Sequence, residues 1–135
     1  MKQGIQSTLK HPMLKEYGCY FLCALQWAET ETDREEFTER QIQYIYETAL
    51  EKGFIRKDCT MLFPHDVLNL AMLENKYTAT RIVKAAPPKD RYVVYLTKPG
   101  YGHFVLSDGG EIWDPLEPRR AGAKGYAVDS YREIT

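Results

Sequence analysis

The stretch Gly102-His-Phe-Val-Leu-Ser-Asp-Gly-Gly-Glu-Ile-Trp-Asp-Pro115 decides how the second half of the chain is read. Its β-prone residues flank an Asp108-Gly109-Gly110 turn signal, so it predicts a hairpin of strands His103 to Leu106 and Glu111 to Asp114. Asp108-Gly109 is a favoured two-residue turn in which both central positions take positive φ. In that register Ser107 faces Gly110, Val105 faces Ile112 and His103 faces Asp114, with Cβ atoms about 5 Å apart. A four-residue loop from Ser107 to Gly110 gives the same pairing. A three-residue loop, or a turn centred on Gly109-Gly110, instead leaves His103 opposite Pro115 or Leu116.

Upstream, Tyr77 to Val83 and Tyr92 to Thr97 read as further strands, with Lys98-Pro99-Gly100 as a hairpin turn. Before Tyr77 the periodicity is helical. From Gly18 the chain runs CYFLCALQWAE, an apolar stretch of the length and composition of a helix buried on most of its surface. Thr32 followed by Glu35 reads as a capping box for the next helix, with Thr38 a rival start. Ile42, Ile45, Tyr46, Ala49 and Leu50 then recur at helical spacing, and Gly53 supplies a stop. After the connector FIRKDCTMLFP, a helix from about His65 to Glu74 carries Val67, Leu68, Ala71 and Met72 on one side, with Asp66 at its dipole-favoured start. Helices followed by antiparallel strands predict an α+β fold, and a chain of 135 residues predicts one domain over 1-135.

Eighteen basic and nineteen acidic residues nearly cancel, and no basic stripe invites a nucleic-acid backbone. Arg119, Arg120 and Lys124 lack the interleaved aromatics of a single-strand binder and read as a solvated loop. No segment approaches the roughly 20 apolar residues of a membrane span, and the N-terminus lacks the apolar core of a signal peptide, so a cytoplasmic protein is expected. Three cysteines, an odd number without framework spacing, fit a reducing compartment with free thiols. They do not predict a metal or cofactor site. Cys19 and Cys23 are four residues apart without the close pairs of structural zinc sites, and Cys59 and His65 do not complete one.

A free thiol can serve as a nucleophile. At the first turn of a helix, backbone N–H groups and the helix dipole favour a thiolate, which is where Cys19 stands. If the hairpin register holds, Asp114 accepts a hydrogen bond from one imidazole nitrogen of His103 and leaves the other facing a partner such as Cys19. Cys23, one turn further along, reads as an unreactive core thiol. Taken singly, a cysteine is usually a small buried hydrophobe and a hairpin histidine is usually just satisfied. The weight lies in the conjunction of a Gly-Cys helix start, a strand-initial Gly-His and an Asp-Pro at the matched position. His11, in Lys-His-Pro, and His65, after Pro64, have no matched partner, and Trp113 and Tyr101 are assigned no role.

YGCYFLCAL around Cys19, GHFVL from Gly102 and IWDP ending at Asp114-Pro115 together resemble the papain-like cysteine peptidase superfamily. Within it they are most similar to the bacterial bacteriocin-processing (double-glycine) peptidases. The resemblance implies a papain-like fold and a cysteine peptidase or amidase, with Cys19 as nucleophile, His103 as proton shuttle and Asp114 as its orienting group. The partner it implies is a peptide or protein substrate. Two departures stand out. The glutamine that usually donates to the oxyanion, six residues before the nucleophile, is replaced by Met13, with Gln6 and Gln3 further back. Tyr20 stands where the family usually has glycine. Loss of one oxyanion donor typically costs about 100- to 1,000-fold in rate. The rival reading is therefore a weak or inactive papain-fold interaction protein of the kind a phage or mobile element could carry.

Overall fold

A computed structural model describes residues 1–116 and 125–135. Its central element is α2, Cys19–Thr32, in which Phe21, Leu22, Cys23, Ala24 and Leu25 are all wholly buried. Five consecutive buried side chains cover every side of a helix, so α2 needs neighbours all round. It obtains them from α4, Pro64–Met72, and from strand β3, Tyr101–Asp108. The short α1, Pro12–Tyr17, precedes it, separated by Gly18 alone.

Helix α3, Glu39–Glu51, starts at Thr38 rather than Thr32. Gln41 N–H donates to Thr38 Oγ1 at 3.1 Å and Thr38 N–H donates to Gln41 Oε1 at 2.9 Å, a reciprocal capping box. Thr32 is unavailable for that role because it forms the last turn of α2, where its hydroxyl donates to Ala28 O at 2.6 Å. Ile42, Ile45, Tyr46 and Ala49 are buried as their spacing predicts, and Gly53 follows at a φ of 76°.

The strands are β1 Thr80–Val83, β2 Arg91–Lys98, β3, β4 Glu111–Trp113 and β5 Ala127–Ile134. They form one antiparallel sheet in the order β1-β5-β2-β3-β4. The fold is thus α+β, with four α-helices and a five-stranded sheet among the described residues. The Tyr77 end of the first expected strand remains a loop because Asn69 of α4 occupies its backbone. Asn69 Oδ1 accepts from Lys76 and Tyr77 N–H at 3.1 and 2.9 Å, and Nδ2 donates to Tyr77 O at 2.7 Å. One apolar cluster joins the helices to Val93, Leu106 and Ile134, and a smaller one holds Val94, Leu96 and Val105 under Tyr92, Tyr126 and Tyr131. No helix among the described residues is long and apolar enough to cross a membrane. The basic residues Arg119, Arg120 and Lys124 lie outside the described residues.

The β3–β4 hairpin corrects the expected register. Leu106 pairs with Trp113, Ser107 with Ile112 and Asp108 with Glu111, so the turn is centred on Gly109-Gly110 and not on Asp108-Gly109. Those glycines have φ of 60° and 90°. Both central positions of such a turn need positive φ, which two glycines adopt without a Cβ penalty and Asp108 would not. Asp108 stays in the strand, where its carboxylate meets Arg91 at 3.3 Å.

Candidate catalytic cluster at the start of α2

The helical hydrogen bonding stops and restarts at Gly18: its N–H donates to Leu14 O and its own carbonyl accepts from Leu22 N–H, both at 2.9 Å. Gly18 has φ −80° and ψ 8°, so left-handed backbone is not the reason for glycine here. The reason is space, since a Cβ would stand 2.5 Å from Leu14 O. Gly18→Ala is therefore expected to cost about 1–3 kcal/mol through a forced backbone shift, measured by urea unfolding. A variant as stable as the parent would show that the junction yields freely.

The junction delivers Cys19, half-buried, to a cleft of about 540 Å³ whose walls include Tyr20, Tyr95, Gly102, Phe104 and Arg132. Gly102 leaves room for Tyr95, whose hydroxyl would lie 2.5 Å from a Cβ there. Beside Cys19, His103 and Asp114 are 1% and 0% exposed, and His103 Nε2 lies 2.8 Å from Asp114 Oδ1. They meet by a route other than the one expected. Continuing the observed register sets Asp114 beside Val105, one diagonal step from His103. The shift moves the partner by two residues and so preserves the face, and diagonal neighbours remain within reach of an aromatic ring.

The N-terminal segment fixes the acid in place. Asp114 O accepts Gly4 N–H at 3.0 Å, Asp114 N–H donates to Gln3 Oε1 at 3.2 Å, and Asp114 Oδ1 also accepts Leu116 N–H at 2.9 Å. Gly4 needs its φ of 79°, and a Cβ there would meet Leu116 O at 2.8 Å. Neither Gly4 nor this use of Gln3 carried a sequence signal.

Burial works against a charged His103, but the hydrogen bond to Asp114 and the proximity of the Cys19 thiol and the Asp114 carboxylate raise it to about 9. With Nε2 committed to Asp114, Nδ1 is buried without a well-formed hydrogen bond among the described residues. It is the nitrogen available to the Cys19 thiol. Cys23 is raised well above the usual thiol range by burial first, then by Cys19 and Asp114. Cys59 is pushed up to about 12, mainly by burial, and its thiol contacts Met13 O at 3.5 Å.

Met13 supplies no side-chain donor. Gln6 is wholly buried, with Nε2 donating to Lys15 O at 3.1 Å and its N–H to Pro115 O at 2.8 Å, and it is absent from the cleft wall. Tyr20 is folded inward, 7% exposed and stacked on Phe104 with ring centroids 4.3 Å apart. Trp113 Nε1 donates to Met1 O at 2.9 Å as part of the core, while Tyr101 is exposed. His11 packs edge-on against Tyr46, and His65 Nδ1 lies 3.0 Å from Thr80 Oγ1. Among the described residues no three His, Cys, Asp or Glu side chains are grouped as metal ligands.

Fold and cluster together define a small α+β protein in which a helix-start cysteine lines a cleft and stands beside a buried His–Asp pair. A family model described as "Protein of unknown function, DUF261" matches residues 1–134, and the chain belongs to that family. No curated protein and no solved structure matches it.

Proposed function

We propose that this protein is a papain-like thiol hydrolase that cleaves a peptide or amide bond. The observation that carries the reading is the division of labour on the His103 ring, Nε2 held by Asp114 and Nδ1 left for Cys19. Cys19 Sγ attacks the carbonyl carbon, and the tetrahedral oxyanion is stabilised by backbone N–H groups at the start of α2. His103 passes its proton to the leaving amine as the C–N bond breaks. It then takes a proton from the water that releases the acyl group, returning Cys19 to its starting state. Asp114 orients the ring throughout and stabilises its charge.

The test is iodoacetamide labelling near pH 6, mapped by mass spectrometry. Cys19 is expected to label selectively while Cys23 and Cys59 stay unmodified, in keeping with their burial and raised titration. Slow, equal labelling of all three thiols removes the hydrolase reading. One observation favours a second reading, a papain-fold binding protein with little turnover: the Gln6 amide is spent on Lys15 O, leaving Met13 at the expected donor position. Selective labelling of Cys19 combined with no hydrolysis of a broad peptide library would decide for it.

A further inference from the structure

Of the three arginines on the described strands, Arg132 is held differently from the other two. Arg81 pairs with Glu133, and Arg91 with Glu31 and Asp108. Arg132 has no carboxylate within ion-pair distance among the described residues. Its guanidinium instead lies 5.3 Å from the Tyr95 ring centroid and 5.5 Å from that of Phe104, with Nη1 donating to the buried Ser130 Oγ at 2.7 Å and to Tyr131 O at 3.4 Å. Two aromatic faces and a buried hydroxyl fix the fork on the cleft wall that also carries Cys19.

A fixed guanidinium with no counter-ion among the described residues is complementary to an oxyanion, and its planar fork matches a carboxylate in particular. Glu16 and Asp58 also line the cleft, so a doubly charged group such as a phosphate meets two negative charges for one positive. A monoanion fits better.

We infer that the Cys19 cleft selects substrates bearing a carboxylate, which Arg132 binds through its guanidinium. The inference rests on the hydrolase reading for the meaning of "substrate", but the binding it specifies does not depend on turnover. The carboxylate can belong to an Asp or Glu side chain or to a peptide C-terminus.

The experiment is fluorescence anisotropy with short fluorescein-labelled peptide pools and Cys19→Ala protein, so that no cleavage intervenes. One arm compares Glu-containing pools with Gln isosteres, all C-terminally amidated. The other compares free-acid with amidated C-termini in the Gln pools. Carboxylate-bearing peptides in at least one arm are expected to bind about 10-fold or more tightly than their neutral counterparts, as for a charge-assisted hydrogen bond. That arm identifies the source. Arg132→Gln is expected to erase the difference and Arg132→Lys to retain part of it. Equal binding in both arms overturns the inference, as does a preference that survives Arg132→Gln. The comparison within the Cys19→Ala protein alone does not depend on either Arg132 variant folding. Failure of the hydrolase reading shows separately, as unselective labelling of Cys19 in the unsubstituted protein.

Discussion

Asp114→Ala is expected to lower the unfolding free energy at pH 7 by about 3–5 kcal/mol, the usual cost of removing one partner of a buried pair. Both side chains are essentially inaccessible, and Asp114 Oδ1 serves the His103 ring and Leu116 N–H together. Truncation leaves the buried His103 ring N–H and the part-buried Leu116 N–H without their acceptor. Asp114→Asn keeps an acceptor oxygen but loses the charge, and should cost about 1–3 kcal/mol. The pH dependence has a definite sign. His103 titrates near 9 in the fold against about 6.5 unfolded, so the folded state binds its proton more tightly. The stabilisation is fully present below about pH 6.5 and is lost as pH rises through about 9. The difference corresponds to about 3 kcal/mol, shared between the Asp114 and Cys19 contacts. Urea unfolding of parent and Asp114→Asn proteins between pH 6 and 10 checks it, with the gap between the curves narrowing as pH rises. A gap that stays constant, or an Asp114→Ala protein within about 1 kcal/mol of the parent, would mean that the pair carries no net charge stabilisation.

The Cys, His and Asp were legible as a set because each sits at a position that local chemistry marks: a Gly-Cys helix start, a strand-initial Gly-His and a strand-terminal Asp-Pro. The exact turn was not legible. Asp108-Gly109 and Gly109-Gly110 both satisfy a two-residue turn rule, and only the difference in strain between Asp and Gly at positive φ separates them. The His–Asp contact survived the error because moving the partner by two residues preserves the face. Strand β5 went unread, although it lies between β1 and β2 and carries Arg132. Its sequence, AVDSYREI, buries only Ser130 and Ile134, so no apolar alternation announces it. Helix α1 was missed for a related reason: six residues with only Leu14 buried give no period to detect. The anchoring of Asp114 by Gln3 and Gly4 joins positions about 110 apart in the chain, a pairing that no local rule predicts. For the choice between Thr32 and Thr38, local chemistry offered both caps, and the length of the buried run in α2 determined which was free.

The second large effect concerns the rate at which Cys19 reacts. In His103→Ala, alkylation of Cys19 by iodoacetamide at pH 6 is expected to fall about 100-fold, with most of the loss recovered above pH 9. A free cysteine thiol, with a pKa of about 8.5, is only about 0.3% thiolate at pH 6. A neighbouring imidazolium favours thiolate over thiol, and His103 stays cationic to about pH 9, so its removal takes away the group that favours the reactive form. Full conversion of a free thiol to thiolate at pH 6 is a gain of about 300-fold, and the weaker nucleophilicity of more acidic thiols brings the net effect to about 100-fold. The two mechanisms also differ in slope. An isolated thiol gains about tenfold in rate for each pH unit below its pKa, whereas a sulfur held in an ion pair with an imidazolium reacts at a nearly constant rate over that range. His103→Asn, which restores some of the lost volume, separates the loss of charge from the opening of a cavity beside α2, and it should behave as His103→Ala does. A parent protein whose Cys19 rate already climbs tenfold per pH unit from 6 to 8 has no ion pair at this position. In that case the buried His–Asp contact acts only as a structural tie between β3 and the end of β4, and the case for a nucleophile at Cys19 fails with it.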